Sequence, residues 1–291
     1  MTRAMIGIIG GSGLYHLEGL TGIRSENVAS PFGTPSDALH CGQLAGHDIV
    51  FLPRHGRGHY LSPSGINYRA NIDALKRVGV TDLISVSACG SFREDLPPGH
   101  FVLVDQFIDR TFRRQTSFFG NGCVAHVSMA HPVAPRLAAR LADAAEALHM
   151  PVQRGGTYVC IEGPQFSTLA ESLNYKAQGH DVIGMTAMPE ARLAREAEMS
   201  YATIAMVTDF DCWHEDHDHV DVAAVIRVVQ DNAARVAALL ERVIADHPKD
   251  HEPCPLGSDR ALDGAIMTAP AARDPVLLQQ LDALLARFGP Q

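Results

Sequence analysis

The chain has 291 residues, of which 46% are hydrophobic and 20% charged, and its formal net charge is −9. These values are typical of a globular protein and argue against a nucleic-acid-binding protein, which needs a basic face. No apolar stretch is long enough to cross a bilayer, and the first residues are too short and too interrupted by glycine for a signal peptide. We therefore expect a cytoplasmic protein with no membrane contact.

Six cysteines are scattered along the chain without a Cys-x-x-Cys pair. This spacing predicts neither a zinc site nor a redox pair, and free thiols are expected in a reducing compartment. The run of histidines and carboxylates at residues 214–219 matches no usual zinc motif and is better explained as a solvated loop. No metal site is therefore predicted.

Short apolar runs alternate with amphipathic stretches along the chain. The runs rich in β-branched residues predict strands near residues 5–9, 48–53, 82–88, 101–107, 157–161, 181–185 and 201–207. Apolar residues every three to four positions predict helices near residues 63–78, 133–149, 165–178, 188–198, 221–246 and 275–287. The alternation predicts an α/β fold in which a sheet carries helices on both faces.

The last part of the chain has a different composition. Residues 246–259 are polar and rich in proline, which predicts a linker, and apolar periodicity resumes from Pro275 to Leu285. We therefore divide the chain into a main domain at residues 1–245 and a linker with an amphipathic helix at residues 246–291. This helix is expected to pack on the core or on a neighbour, or else to act as a lid over a ligand.

The first predicted strand stops at Gly10, Gly11, Ser12 and Gly13. Glycines allow a turn with positive φ, and consecutive N–H groups with a serine hydroxyl form a concavity that binds anions. The dinucleotide-binding fingerprint is excluded because His16 stands where its third glycine should be, and the P-loop lysine is missing. The turn is therefore a candidate phosphate site, with a plain connecting turn as the alternative.

Polar or small residues also follow two other predicted strands: Arg54 and His55 come after Pro53, and Ser87 and Ala88 come after Val86. Crevices at strand ends are where open α/β sheets bind ligands, and arginine binds phosphate with two parallel hydrogen bonds. One further hydroxyl comes from the loop after the strand near 181–185. These loops predict a site for one phosphate dianion, formed by Ser12, Arg54, His55, Ser87, Ala88 and Thr186.

Asp209 and Asp211 follow the strand near 201–207, two residues apart. In an extended segment their side chains point to the same side, and burial together with like charge raises one pKa. A protonated aspartate can donate to a ring nitrogen while a carboxylate accepts from an amine, the pattern that adenine presents at N7 and N6. The alternative is an Asx turn, which is common for aspartate at a strand end.

Nine motifs resemble, in order, those of the 5'-methylthioadenosine phosphorylases, within the trimeric purine nucleoside phosphorylase family. They are Gly10–Leu14, Pro31–Ser36, Arg54–Gly56, Asn67–Asn71, Ala88–Ser91, Asp105–Thr111, Ile161–Pro164, Met185–Thr186 and Thr208–Trp213. Single motifs are weak, but the ordered set over about residues 5–245 is specific.

The resemblance implies a single α/β domain with a central mixed sheet flanked by helices, of the nucleoside phosphorylase/hydrolase type, and a C-terminal helical tail. It implies phosphorolysis of 5'-methylthioadenosine to adenine and 5-methylthioribose 1-phosphate, with inorganic phosphate as co-substrate and no cofactor. Asp209 and Asp211 would read N7 and N6 of the purine. The implied assembly is a homotrimer, and the implied nucleoside contacts are His59, Phe166, Ser167, Met185, Val222, Ile226 and His126 of a neighbouring subunit.

The chain departs from the family pattern at Gly184, where asparagine is frequent, and at Gln165, where arginine is frequent. Three alternatives stay open: a phosphorylase of 6-oxopurine nucleosides such as methylthioinosine or inosine, or of adenosine more broadly; a nucleosidase that uses water; and a nucleoside-binding protein without catalysis. The aspartate pair favours a 6-aminopurine, because a 6-oxo group is an acceptor and needs a donor beside it.

Overall fold

One mixed β-sheet organises residues 3–11, 19–215 and 221–289, which are the residues that this computed structural model describes. Its eleven strands are β1 Ile6–Gly10, β2 Thr21–Glu26, β3 Leu39–Leu44, β4 His47–Pro53, β5 Asp82–Ser91, β6 Phe101–Val104, β7 Gln106–Asp109, β8 Val152–Arg154, β9 Thr157–Cys160, β10 Val182–Gly184 and β11 Ser200–Asp209. The order is β2-β3-β4-β1-β5-β10-β9-β7, and a branch begins at β5, where β11 pairs with β5 and β6, and β6 with β8.

Seven α-helices in the described residues cover this sheet. They are α1 Tyr68–Arg77, α2 Pro135–Ala147, α3 Leu169–Ala177, α4 Ala187–Glu196, α5 Val222–Ala245, α6 Pro275–Gln280 and α7 Asp282–Leu285. Four of them begin after a side chain that accepts a hydrogen bond from the first turn, namely Asn67, Thr168, Asp221 and Asp274. Such caps satisfy backbone N–H groups that have no partner inside the helix.

The hydrophobic core lies on both faces of the sheet. Alternate side chains of β1 point in opposite directions, so Ile6 and Ile8 pack in the cluster under α2 and α5, and Ile9 packs in the cluster under α1 and α4. The predicted α/β fold with a central mixed sheet is confirmed.

Every predicted strand and helix is present, with shifted ends. The run near 101–107 is two strands, β6 and β7, and the predicted helix 63–78 begins at Tyr68, after a short 3-10 turn. The sequence analysis missed β2, β3 and β8. Strand β2 is almost wholly exposed, so no buried face leaves an alternating pattern in its sequence.

The tail packs on the core of its own chain. Leu281, Leu284 and Leu285 are buried in the cluster that also contains α1 and α4. Earlier in the tail, the N–H of Met267 donates to the carbonyl of Val124 at 2.8 Å, and the N–H of His126 donates to the carbonyl of Ala265 at 2.9 Å. The tail therefore supports the segment that carries His126. The division of the chain at residue 246 and the movement of the tail as a lid stay predictions.

The cysteines and the helices of the described residues bear on two predictions from the sequence. All six cysteines are free, as predicted. No helix of the described part is long and apolar enough to cross a membrane.

Candidate active site

The site is placed by four neighbouring parallel strands. Strand β1 runs parallel to β4 and β5, and β11 runs parallel to β5. Their register pairs Gly10 with Pro53 and Asp209 with Gly90, so the carboxyl ends of these strands meet at one edge of the sheet. The loops at this edge carry most of the predicted phosphate and purine contacts.

The first glycine turn and the loop after β4 are joined directly. The backbone N–H of Arg54 donates to the carbonyl of Gly10 at 2.9 Å. Ser12 belongs to residues 12–18, which lie outside the described residues. The contact of Ser12 with phosphate therefore stays a prediction, although Gly10, two residues before it, is held beside Arg54.

The guanidinium of Arg54 is fully buried and engaged with protein groups. It holds Glu190 with two hydrogen bonds of 2.8 and 3.1 Å, and it also donates to the Ser85 hydroxyl and to the carbonyls of Val86 and Ile9. Within the described residues, its Nη1 has one acceptor, the carbonyl of Val86, for two N–H groups. The bidentate partner in this structure is thus a carboxylate, and the phosphate contact of Arg54 stays a prediction.

His55 is a neutral imidazole with a defined tautomer. Burial lowers its pKa to about 4. Its Nδ1 lies 2.8 Å from the carbonyl oxygen of Leu61, and because a carbonyl only accepts, Nδ1 carries the proton and Nε2 is an acceptor. The ring stacks on that of His59, with centroids 4.1 Å apart.

Two hydroxyls predicted to bind phosphate come together. The Oγ of Ser87 lies 3.2 Å from the Oγ1 of Thr186 and 3.3 Å from the hydroxyl of Tyr158, and all three residues are buried. Ala88, the next residue of β5, is exposed, and its carbonyl accepts the Ser87 hydroxyl at 3.0 Å. The prediction that Ser87 and Ala88 lie in a loop is wrong, because pairing with β11 and β10 continues the strand to Ser91. The strand therefore presents an exposed residue beside a pair of rotatable hydroxyls.

Tyr158 explains the departure at Gly184. A Cβ atom on Gly184 would lie 1.8 Å from the Tyr158 hydroxyl oxygen, closer than any side chain allows. The tyrosine ring fills the space that a larger residue at position 184 would need. The two positions therefore have to change together.

The aspartate pair forms the other half of the site. The Oδ1 of Asp209 accepts the backbone N–H of Asp211 at 2.8 Å, and its Oδ2 accepts the Thr208 hydroxyl at 2.7 Å. Burial raises the pKa of Asp209 to about 6, against the opposing effect of these two hydrogen bonds. Protonation near neutral pH is therefore within reach of this carboxyl.

The expectation of an extended segment at Asp211 is wrong. Asp211 has φ 52°, in the left-handed region, and its N–H closes the Asx turn that was the alternative. The reason is that the Asp209 carboxylate competes successfully with the strand for the N–H two residues ahead. The two carboxylates are nevertheless neighbours, through the turn rather than through a shared strand face.

Asp211, Ser167 and Ser172 form a buried polar group. The Oδ2 of Asp211 and the hydroxyls of Ser167 and Ser172 are buried, and no well-formed hydrogen bond is present at these three atoms within the described residues. The two hydroxyls are nevertheless near enough to the carboxylate to oppose the rise that burial gives the pKa of Asp211. Unpaired buried polar atoms are rare, and here they lie where the resemblance places the purine.

The other predicted nucleoside residues lie at different distances from this centre. Met185 is half-buried against Gly163, whereas Phe166 is 43% exposed. Val222 and Ile226 are exposed on the first turns of α5. His126 is exposed on the segment held by the tail, and the structure does not bring it to the other candidate residues.

Sequence reasoning missed four buried residues that support the site. Glu190 pairs with Arg54, Tyr158 contacts Ser87, and Arg114 and Glu162 hold the loops around Met185. Charged residues in otherwise apolar motifs were the available signal. Their partners are far apart in sequence, so their role could not be predicted.

No group of three or more His, Cys, Asp or Glu side chains in the described residues is placed to hold a metal ion. Residues 216–219 of the run at 214–219 lie outside the described part.

Comparisons with known proteins show the family of the chain. A family model described as the phosphorylase superfamily matches residues 5–245. An S-methyl-5'-thioadenosine phosphorylase of Bradyrhizobium diazoefficiens is 67% identical over 287 residues, which cover 99% of each chain.

Solved structures show the same similarity. A methylthioadenosine phosphorylase from an antarctic soil metagenomic library has a TM-score of 0.88 and 46% identity, covering 98% of this chain and 100% of its own. A methylthioadenosine phosphorylase from Schistosoma mansoni, in complex with adenine, has a TM-score of 0.86 and 38% identity, covering 91% of this chain and 99% of its own.

Proposed function

We propose that this chain, which belongs to the phosphorylase superfamily, cleaves 5'-methylthioadenosine with inorganic phosphate. The products are adenine and 5-methylthioribose 1-phosphate, so the enzyme is a pentosyltransferase. The observation that carries the proposal is the meeting, at one sheet edge, of the Ser87–Thr186 hydroxyl pair with a buried aspartate of raised pKa. The reaction needs phosphate as co-substrate and calls for no cofactor.

The phosphate half of the site supplies and orients the nucleophile. We assign phosphate contacts to the exposed Ala88, to the hydroxyls of Ser87 and Thr186, and to the turn at Ser12. The acceptor Nε2 of neutral His55 suits the one proton that hydrogen phosphate carries. The second N–H of Arg54 Nη1, which has no acceptor within the described residues, completes the set.

The purine half of the site stabilises the leaving group. A phosphate oxygen forms the bond to C1' while the bond from C1' to N9 breaks, and its electron pair moves into the purine. We assign to Asp209 the proton that goes to N7, and to Asp211 the hydrogen bond from the 6-amino group. The new phosphate ester gives up one proton and adenine takes one, so the overall reaction needs no other acid.

The carboxylate of Asp211 favours a 6-aminopurine, since its buried Oδ2 makes no well-formed hydrogen bond within the described residues. An ionised carboxylate oxygen accepts hydrogen bonds and an amine donates them, whereas a 6-oxo group would face a second acceptor. Leaving one buried polar atom without a partner costs about 1–3 kcal/mol, which is enough to discriminate between the two purines.

We also propose that the working unit is a homotrimer in which His126 reaches a neighbour's site. His126 is exposed and backed by the tail, and Val222 and Ile226 expose apolar surface that a methylthio group or a neighbouring subunit would cover. Mixed oligomers of Asp209→Asn and His126→Ala chains test this. Sharing predicts that mixing restores activity, because a site with both native residues forms. A cytoplasmic location stays a prediction.

A nucleoside panel assayed with and without phosphate tests the function. We expect phosphate-dependent release of adenine from 5'-methylthioadenosine, with slower release of base from methylthioinosine and inosine; adenosine measures how strictly the 5' group is read. Equal release without phosphate would identify a nucleosidase. Equal or faster turnover of the 6-oxopurines would contradict the role of Asp211.

A further inference from the structure

Arg114 is a buried arginine whose guanidinium reaches both sides of the candidate site. It donates to the backbone carbonyls of Met185 at 2.7 Å, Met188 at 2.6 Å and Glu162 at 2.8 Å. Longer hydrogen bonds reach the hydroxyls of Tyr68 and Ser64, at 3.2 and 3.3 Å. Its side chain is 1% exposed, so these contacts account for its place in the fold.

The carbonyls that Arg114 holds lie where regular structure fails. Met185 sits between the end of β10 and the start of α4, and Met188 interrupts α4 with φ −116° and ψ 135°. Buried backbone carbonyls need donors, and the interruption removes the helical ones. A planar guanidinium with five N–H groups can serve several carbonyls at once, in a fixed geometry.

Thr186 lies between the two carbonyls that Arg114 binds most closely. Its own side chain meets Ser87 at 3.2 Å, and it makes no side-chain capping bond to α4. The position of the Thr186 hydroxyl therefore depends on the backbone on either side of it. The guanidinium contacts that backbone directly and the hydroxyl not at all.

We propose that Arg114 is a positioning residue of the phosphate site, which fixes the Thr186 hydroxyl through the carbonyls of Met185 and Met188. The inference rests on the proposed function for the identity of the anion, inorganic phosphate. It makes Arg114 act on phosphate without touching it. The same guanidinium also fixes Glu162 and so the loop that borders the purine.

The test compares Arg114→Met with Arg114→Lys. Methionine keeps the apolar stem and removes the donors, so we expect the KM for phosphate to rise about tenfold, with a smaller change in the KM for the nucleoside. Lysine restores donors without the planar fork, so its KM for phosphate should fall between methionine and wild type. The rise in melting temperature that phosphate causes should be largest in wild type, smaller in Arg114→Lys and smallest in Arg114→Met.

Arg195→Met is the matched control. Arg195 is also buried and donates to a backbone carbonyl, that of His131, at the opposite end of α4 from Thr186. We expect it to lower stability without changing the KM for phosphate. A wild-type KM and phosphate-induced melting shift in both Arg114 variants would overturn the inference, as would changes equal to those of the control.

The melting shift also separates this inference from the proposed function. A wild-type chain that phosphate stabilises but that releases no adenine would contradict the function, while the variants still test Arg114 through phosphate binding. If Arg114→Met does not fold, Arg114→Lys carries the test alone, with an expected rise of about threefold in the KM for phosphate. A wild-type chain that phosphate neither stabilises nor activates would contradict both proposals.

Discussion

The carboxylate of Asp209 holds the backbone N–H of Asp211 at 2.8 Å, and so each aspartate fixes the other. The turn between them puts Asp211 at φ 52°, a conformation that few residues other than glycine adopt and that aspartate tolerates better than most. A substitution at position 209 that removes the side-chain oxygen therefore affects both a proton donor and a local turn.

Asp209→Asn separates these two roles. The asparagine Oδ1 still accepts the N–H of Asp211, so the turn is kept, but the side chain no longer supplies a proton. We expect kcat to fall by about two to four decades with little change in the KM for nucleoside, because the proton matters mainly in the transition state. Steady-state kinetics at saturating phosphate measure this, and a loss confined to KM would contradict the assignment.

The pH profile provides the control for that variant. With a pKa of about 6 in the free protein, Asp209 loses its proton as pH rises, so kcat/KM for the nucleoside should decline above about pH 6. The Asp209→Asn variant should lack this limb. Phosphate ionises in the same range but acts equally on both proteins, so the difference between their profiles belongs to Asp209.

Arg54→Ala should destabilise the fold before it informs on phosphate. It leaves Glu190 ionised and buried without its partner, a change that typically costs about 3–5 kcal/mol. Urea unfolding measures the loss, and replacing Arg54 and Glu190 together by methionine should recover much of it. Arg154→Ala, which breaks an exposed ion pair with Glu146, is the control and should have no measurable effect. A mild Arg54→Ala variant would show that Glu190 is not held by this pair.

Gly184→Ala tests the match with Tyr158. The added methyl would overlap the tyrosine hydroxyl, so we expect a loss of about 1–3 kcal/mol and a higher KM for phosphate through displacement of Ser87. Replacing Tyr158 by leucine in the same chain should restore much of the stability. Gly120→Ala, where the new methyl meets open space, is the control. Equal melting temperatures for the two alanine variants would rule out the match.

Glu196 predicts a pH-dependent term in stability. Burial raises its pKa from about 4.5 to about 7, although it accepts hydrogen bonds from the Ser117 hydroxyl and the Phe118 N–H. The unfolded chain ionises first, so the free energy of unfolding falls as pH rises from about 4.5 to 7 and is then level. Glu196→Gln should remove this fall, a difference on the order of 3 kcal/mol at pH 8. Identical pH dependence of the two proteins would refute the assignment.

His251 predicts a term with the same sign in a different pH range. Its Nδ1 lies 3.0 Å from the Asp82 carboxylate at the start of β5, and this hydrogen bond raises the pKa of His251. The stabilisation is complete below the histidine's usual pKa near 6.5 and is lost as pH rises through its raised value. His251→Ala should cost about 1–2 kcal/mol at pH 6 and less at pH 9. The exposed His131, changed to alanine, is the control and should show no such pH dependence.

Much of the fold follows from local patterns in the sequence. Apolar runs give the buried strands, and Asn67, Thr168 and Asp221 mark helix starts within a few residues. An exposed edge strand such as β2 leaves no such pattern, because neither of its faces is buried.

The sequence predicted which residues come near one another, but not their contacts. Hydroxyls and acids near strand ends marked Ser87, Thr186 and Asp209, and the structure brings Ser87 and Thr186 together; their roles stay predictions. The partner of Arg54 lies 136 residues away and depends on the packing of α4 against the sheet. The sequence does not distinguish an arginine that binds an anion from one that pairs with a buried carboxylate. The tertiary arrangement determines which of the two it is.

Strand β5 carries the His251 contact at Asp82 and the hydroxyl of Ser87 five residues later, about 16 Å away at the usual rise of a strand. Both residues are buried, so salt screens little between them and distance alone weakens the interaction. A unit charge at that distance contributes about 1 kcal/mol at an effective dielectric constant of about 20. A change of charge at the tail anchor therefore moves a pKa at the other end of the strand by less than one unit, so the pH dependence of stability can be engineered there with only a small effect on the reaction.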